Sequence, residues 1–325
     1  MTLLDAAPTE VRTDDPRVVT IADGAWEVDV LPGTGASLGA GRIRTSDGVW
    51  RDLLRPTSRG GRGVVEKCAS FPMIPWSNRV RDGALTFRGR THRLQRDCAD
   101  GTAIHGAVRY ARWDVLDRTP GSVTIGIDTR EHVGINFPWH FTSTITYAVR
   151  GGTFEVTTTL RNVDSEAFPG GFGHHPYFQR SLAPVGAVAP RPLGHPVVQV
   201  PAHACYPGVP MPTGPSGPLT ARADFLAPRV LDGAFIDDVY NARDTDKPIS
   251  IRYERPDVTV ELTADPVYEH LVFYAPRGRA YFAIEPATNV NDGVALFEAG
   301  VPGTGVFVLE PGEERTGAFA IAVRG

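Results

Sequence analysis

The sequence predicts a nearly all-β protein, a large β-sandwich, and three observations predict it. The dominant apolar period is two. No stretch of ten or more residues sustains an i, i+3, i+4, i+7 apolar pattern, and 35 glycines and 28 prolines supply turn signals throughout. In chain order the strand-like runs are 25–32, 84–94, 122–130, 141–149, 153–163, 249–254 and 258–264, mostly alternating and bounded by Gly, Pro, Asn or Asp. Between the fourth and fifth of these, Arg150-Gly151-Gly152 predicts a tight hairpin, because paired glycines accept the positive φ angles that a two-residue β-turn requires. The proline-rich stretch from Pro184 to Pro228 is interrupted by the strand-like VVQVPAH, so it reads as loops crossing one sandwich and not as an interdomain linker.

Composition narrows the function. With 42% hydrophobic and 22% charged residues in 325, the chain can bury a large core. The 33 Lys+Arg against 37 Asp+Glu give a net charge of −4, which offers no surplus for a phosphate backbone, so nucleic acid is not an expected partner. Lys67 and Lys247 are the only lysines, which leaves little room for Schiff-base chemistry. Cys68, Cys98 and Cys205 form neither a disulfide framework nor a CxxC pair and point to a reducing compartment. The N-terminal residues carry no basic and apolar leader, and no apolar run approaches ~18 residues. The expectation is a cytoplasmic protein without a membrane span.

Gly35-Ala36-Ser37-Leu38-Gly39 matches the G-x-S-x-G hydrolase pattern, but a nucleophile elbow needs a helix after it and GRIRTSDGVW reads as a strand, so a turn is expected. The histidines say more. His174 and His175 are adjacent in a strand-like GFGHHPYF segment, so their side chains leave on opposite faces; one should face a site and the other support it. His105 lies in AIHG. Glu285 sits on the apolar run YFAIEPA, on the same face as Tyr281 and Ala283, and Asp237 and Asp238 follow Phe235 and Ile236. A carboxylate on such a strand costs several kcal/mol if buried without a partner, so it has either a partner or a task.

Taken in order, these segments resemble the aldose 1-epimerase (galactose mutarotase) family. The likeness runs through Pro75-Trp76-Ser77-Asn78-Arg79-Val80-Arg81-Asp82-Gly83, then His105-Gly106-Ala107-Val108-Arg109 with Trp113 downstream. It continues through His175-Pro176-Tyr177-Phe178, Pro212-Thr213-Gly214, Ile236-Asp237-Asp238, Ile284-Glu285-Pro286 and Leu309-Glu310-Pro311-Gly312-Glu313. It covers roughly residues 20 to 323 in one co-linear order, which implies a single domain over 20–325, a large antiparallel β-sandwich, after a partly ordered extension over 1–19. Ser77 stands where the family often has Pro, and the residues after Glu285 read PATNVND.

The resemblance implies a mutarotase-like sandwich that interconverts the α and β anomers of an aldose without a cofactor. Opening a hemiacetal requires one group to protonate the ring oxygen and another to take the C1 hydroxyl proton. The resemblance makes His175 the general acid and Glu285 the general base, with His105 bonding the sugar near C1. Arg79 and Asp237, with Asn78, Trp76 and Tyr177, would hold the ring, and His174 would support from behind. Trp113 and Phe178 are further candidates for an apolar platform under the sugar. Expected partners are a small sugar and, for assembly, nothing beyond a monomer or homodimer. Three other readings stand beside this one: a hexose-phosphate epimerase or member recruited to another carbohydrate, a non-catalytic sugar-binding module, and a metal-dependent isomerase or lyase using His105, His175 and Glu285. The last lacks a local H-x-H or H-x-x-x-H cluster.

Overall fold

The computed structural model describes residues 17–187, 194–207 and 210–324. Two large antiparallel sheets dominate. One has nine strands, in the order Asp114–Thr119, Ser122–Asp128, Phe141–Arg150, Thr153–Asn162, Glu314–Arg324, Asp257–Ala264, Ile249–Glu254, Val197–Gln199 and Arg229–Val230. The other runs Gly217–Pro218, Ala202–Cys205, Ile236–Arg243, His270–Ala275, Tyr281–Ala287, Gly173–His174 and Pro72–Met73, with Tyr177–Gln179 also pairing Tyr281–Ala287. A four-stranded N-terminal sheet over Val19–Ala22, Trp26–Leu31, Ser37–Arg44 and Trp50–Asp52 joins the same core. The only α-helix among the described residues is Gly293–Glu298, shorter than any window in which helical periodicity registers.

Each predicted run contains strand. The hairpin joins Phe141–Arg150 to Thr153–Asn162 through Gly151 (φ 56°) and Gly152 (φ 80°). Alternation decides what these strands bury: Phe141, Ile145, Tyr147, Phe154, Val156, Thr158 and Leu160 point inward, with Thr142, Thr144, Thr146, Thr157 and Thr159 between them partly exposed. They meet Leu271, Phe273, Phe282 and Ile284 from the inner face of the eight-stranded sheet in one cluster that runs from Val19 to Ile321. Burying each such side chain stabilises the fold by about 1.5–3 kcal/mol. Val19–Ala22 pairs with Trp26–Leu31, and residues 1–16 of the expected extension lie outside the described residues. Ser37 opens a strand and no helix follows it, so the G-x-S-x-G match is a turn.

The outer face of the eight-stranded sheet is only partly covered. Val65, Phe71, Met73, Tyr177 and Ala283 form a satellite cluster on one side, and Tyr206, Val239, Val272, Val290 and Leu296 one on the other. A cleft lies between them.

Candidate active site

Strand register builds the floor of the cleft. Directly opposed residues of antiparallel strands share a face, so Val239, Val272 and Glu285 form one row. Two residues along each strand, about 7 Å away, Asp237, Tyr274, Ala283 and Tyr177 form the next. The intervening residues Asp238, Phe273 and Ile284 face the other way, into the protein. Loops from the other side supply Asn78, Arg79 and His105, and with His175 these residues line a hollow of about 190 Å³.

His105 is held by its backbone. Its N–H donates to the Asn78 carbonyl at 2.8 Å, and the Ala107 N–H donates to the Ile74 carbonyl at 2.7 Å. Gly106 has φ 80°, and a Cβ there would lie 2.2 Å from the Ile74 oxygen, so the chain approaches too closely for any other residue. His105 (φ 60°) and Asn78 (φ 56°) are themselves left-handed. A non-glycine residue held so costs of order 1–3 kcal/mol, and such strain gathers at functional sites.

His175 Nε2 lies 3.0 Å from Glu285 Oε1, with both side chains almost fully buried. Phe71 stacks on the imidazole at 4.8 Å between ring centroids, Tyr177 lies at 4.3 Å, and the His105 ring meets it edge-on at 5.4 Å and 90°. Glu285 Oε2, His175 Nδ1 and His105 Nδ1 are buried without a hydrogen-bond partner. A buried polar atom left so costs about 1–3 kcal/mol, and three in one hollow mark a place built for a polar guest.

Burial pushes the Glu285 carboxyl well above the usual carboxylate range; Asp237 reinforces this and Arg79 opposes it. Burial also pulls the His175 imidazole down to about 3, helped by the positive charge of Arg55. Both shifts favour the uncharged forms, a protonated Glu285 carboxyl beside a neutral His175 imidazole. His105 is driven well below its ordinary value by burial first, then by His175, Arg109 and Arg79, and stays neutral. Asp237 is raised by burial, against the pull of Arg79.

Arg79 donates through Nε to Asp100 at 2.9 Å and through Nη1 to Asn78 Oδ1 at 3.0 Å, which fixes its guanidinium at the rim. Of the residues expected to form a site, His175, Glu285, His105, Arg79, Asp237, Asn78 and Tyr177 come together here. Trp76 does not. It is buried in the main core with its ring 6.0 Å from Phe137, because a large apolar indole gains more from that packing than from a cleft rimmed by charges. Trp113 and Phe178 are likewise core residues and form no platform. His174 lies on the far face, its Nε2 2.7 Å from Thr158 Oγ1.

The sequence reading missed Val272 and Tyr274, whose run HLVFYA carries no motif; only its alternation, with Leu271 and Phe273 inward, pointed to them. It also missed Asp100 and Phe71. Ser77 and the PATNVND segment, noted separately, touch each other: the Ser77 N–H donates to Asn289 Oδ1 at 3.0 Å and its hydroxyl to the Asn289 carbonyl at 2.6 Å. A proline at 77 has no N–H to give.

The cleft thus brings a carboxyl and imidazoles together on one face of an antiparallel sandwich, the residue types that proton transfer to and from a small molecule requires. The chain belongs to the aldose 1-epimerase family, whose model matches residues 17–322. It is 27% identical over 168 residues to the uncharacterized protein YphB of Escherichia coli K12, a match covering 50% of this chain and 52% of that relative. The chain thus matches about half the length of YphB. Among solved structures it is similar to a galactose mutarotase-like protein from Clostridium acetobutylicum, with TM-score 0.81, 20% identity and 95% of each chain covered. It is also similar to the GalM/aldose epimerase homologue from C. elegans, with TM-score 0.75, 16% identity, and 94% and 98% of the two chains covered. At these identities the structural likeness establishes the fold.

Proposed function

We propose that this protein is an aldose 1-epimerase that opens and recloses the ring of a neutral aldose, with Glu285 and His175 as its proton-transfer pair. The observation that carries the reading is the buried 3.0 Å contact between His175 Nε2 and Glu285 Oε1, whose second atoms have no protein partner. Ring opening needs the proton on His175, to be given to the ring oxygen, and Glu285 ionised, to take the C1 hydroxyl proton. Burial favours the opposite arrangement, with both groups uncharged. A sugar hydroxyl donating to Glu285 Oε2 stabilises the carboxylate and moves the shared proton across the existing contact. Opening leaves the proton on Glu285, closure on the other face of the aldehyde returns it, and the pair ends as it began. Neutral His105 bonds oxygens near C1, while Asp237 and Arg79 hold ring hydroxyls.

A neutral sugar is favoured over a phosphorylated one because Asp237 and Glu285 both line the hollow, and the guanidinium there is already bonded to Asp100. The test is polarimetry or NMR of freshly dissolved α-D-glucose and α-D-galactose, with glucose 6-phosphate in parallel. Faster mutarotation of at least one unphosphorylated sugar is expected. Acceleration confined to the phosphate ester would move the activity to a hexose-phosphate epimerase.

A further inference from the structure

We propose that Asp100, which does not line the hollow, is a specificity-determining residue: by occupying one donor of the Arg79 guanidinium it keeps sugar acids out and leaves the cleft to uncharged aldoses. The reaction it serves rests on the anomerisation reading; the role itself rests on how the arginine is bonded. Arg79 is the guanidinium that lines the hollow. A guanidinium grips a carboxylate or phosphate through a fork of two parallel N–H groups, side-on through Nε and Nη2 or end-on through Nη1 and Nη2. Here Nε donates to Asp100 at 2.9 Å and Nη1 to Asn78 Oδ1 at 3.0 Å. Asp100 therefore breaks the side-on fork, and Asn78 competes for the Nη1 that the end-on fork needs. Nη2 has no partner among the described residues, and a sugar hydroxyl needs no more than a single N–H.

The carboxylate is itself held in place. Asp100 sits in a tight turn in which the Cys98 N–H donates to the Thr102 carbonyl at 3.1 Å and the Gly101 N–H to the Cys98 carbonyl at 3.0 Å, with Gly101 at φ 83°. Its Oδ1 accepts from the Thr102 N–H at 3.1 Å and from the Thr102 hydroxyl at 2.6 Å, which leaves Oδ2 for Arg79. The Thr102 hydroxyl above all holds the Asp100 carboxyl well below the usual carboxylate range, so its charge persists near neutrality. The guanidinium groups of neighbouring segments are taken in the same way, Arg81 by Asp292 and Arg109 by Asp97 and Glu66. An entering carboxylate or phosphate thus meets a broken fork and a fixed negative charge beside it, and like charges brought together select against the wrong partner. Neutralising Asp100 frees the Nε–Nη2 fork and leaves the charge of Arg79 unopposed.

The test compares the whole protein with Asp100→Asn, which keeps an acceptor for Thr102 and removes the charge. The Asp100 side chain is 41% exposed, so the change opens no cavity. Anomerisation of glucose, galactose, glucuronate, galacturonate and glucose 6-phosphate is followed by NMR, and binding of the same sugars by calorimetry. Wild type should favour the uncharged sugars. In Asp100→Asn the ratio of kcat/KM for acid to that for aldose should rise about three- to tenfold for at least one acid, the scale of a half-exposed ion pair. Adding Arg79→Lys should remove most of that rise, because an ammonium keeps the charge and lacks the fork. An unchanged ratio, with acids and aldoses weakened alike, would reduce Asp100 to support of its turn and overturn the inference while leaving the anomerisation reading in place. A wild type that favours acids, or binding of no sugar by either protein, would overturn it as well. Tighter binding of an acid by Asp100→Asn, with no anomerisation by either protein, keeps the specificity role and removes the catalytic reading.

Discussion

Two pairs of neighbours in the eight-stranded sheet, 174 with 175 and 238 with 237, leave on opposite faces and differ in how their polar groups are met. On the inner face, His174 meets Thr158 at 2.7 Å, and the Asp238 carboxylate is met by the Arg222 guanidinium, with Nε at 3.0 Å. One residue along the chain from His174, on the outer face, His175 keeps a buried polar atom without a partner, and so does Glu285 beside it in space. Asp237 opens onto the same hollow. Satisfied polar groups add order to a core; orphaned ones cost stability and persist where a ligand completes them. The contrast between neighbours 174 and 175, and between 238 and 237, separates support from chemistry more sharply than burial does, since His174 and His175 are both buried.

The strongest way to break this division is to change neighbours in parallel. Glu285→Gln and His175→Asn are each expected to slow anomerisation by about 10²–10⁴-fold while leaving the fold intact. The double variant should be little slower than the worse single one, because the two residues act as one proton-transfer unit. His174→Ala should instead lower stability by about 1–3 kcal/mol, through a cavity and an unpaired Thr158, with turnover largely kept in the folded protein. Loss of turnover in His174→Ala comparable to that in His175→Asn would erase the distinction.

The aspartates sharpen it at smaller amplitude. Asp237→Ala should raise KM by about 10–100-fold, the worth of a charged group bonding hydroxyls, and lower kcat less, because remote hydroxyls are held alike in ground and transition states. Asp238→Ala should lower the melting temperature and leave KM nearly unchanged, as the half-exposed Arg222 is rehydrated when its partner is lost. A larger KM effect at 238 than at 237 would place the strand one residue out of register.

The smallest expected effect is on the pH dependence of stability. The Glu285 carboxyl is raised above its unfolded value of 4.5, so its contribution is fully present below that value and is lost as pH rises through its folded value. His175 works the other way: its folded value of about 3 lies below 6.5, so acidification from 6.5 towards 3 destabilises the fold. Between 4.5 and 6.5 the two slopes oppose each other. Glu285→Gln removes only the first, so its melting temperature relative to wild type should climb as pH rises above the carboxylate range. Calorimetric scans at matched ionic strength measure this, and a difference independent of pH would mean that Glu285 is ionised and solvated in the fold.

How much of this was legible before folding differs from element to element. The run ISIRYE is a strand over the same residues, Ile249–Glu254, and the Gly-Gly hairpin forms as expected, because period-two alternation and turn chemistry are local properties of the chain. Alternation also required that His174 and His175, and Asp237 and Asp238, part to opposite faces, and they do. Resemblance to a family placed His105, His175 and Glu285 in one site, which no local spacing does: Glu285 is reached from His175 only through the pairing of separate strands. Trp76 shows the limit from the other side, since its neighbours Asn78 and Arg79 line the cleft while it turns into the core.

By itself, then, the sequence determined the strands, their turns and the face on which each side chain leaves, since these depend on neighbours one or two residues away. Only the tertiary structure decided which carboxylate and imidazole meet and that Val272 and Tyr274 complete the hollow. Those facts follow from strand register and sheet packing, and register is set by contacts between residues far apart in the chain.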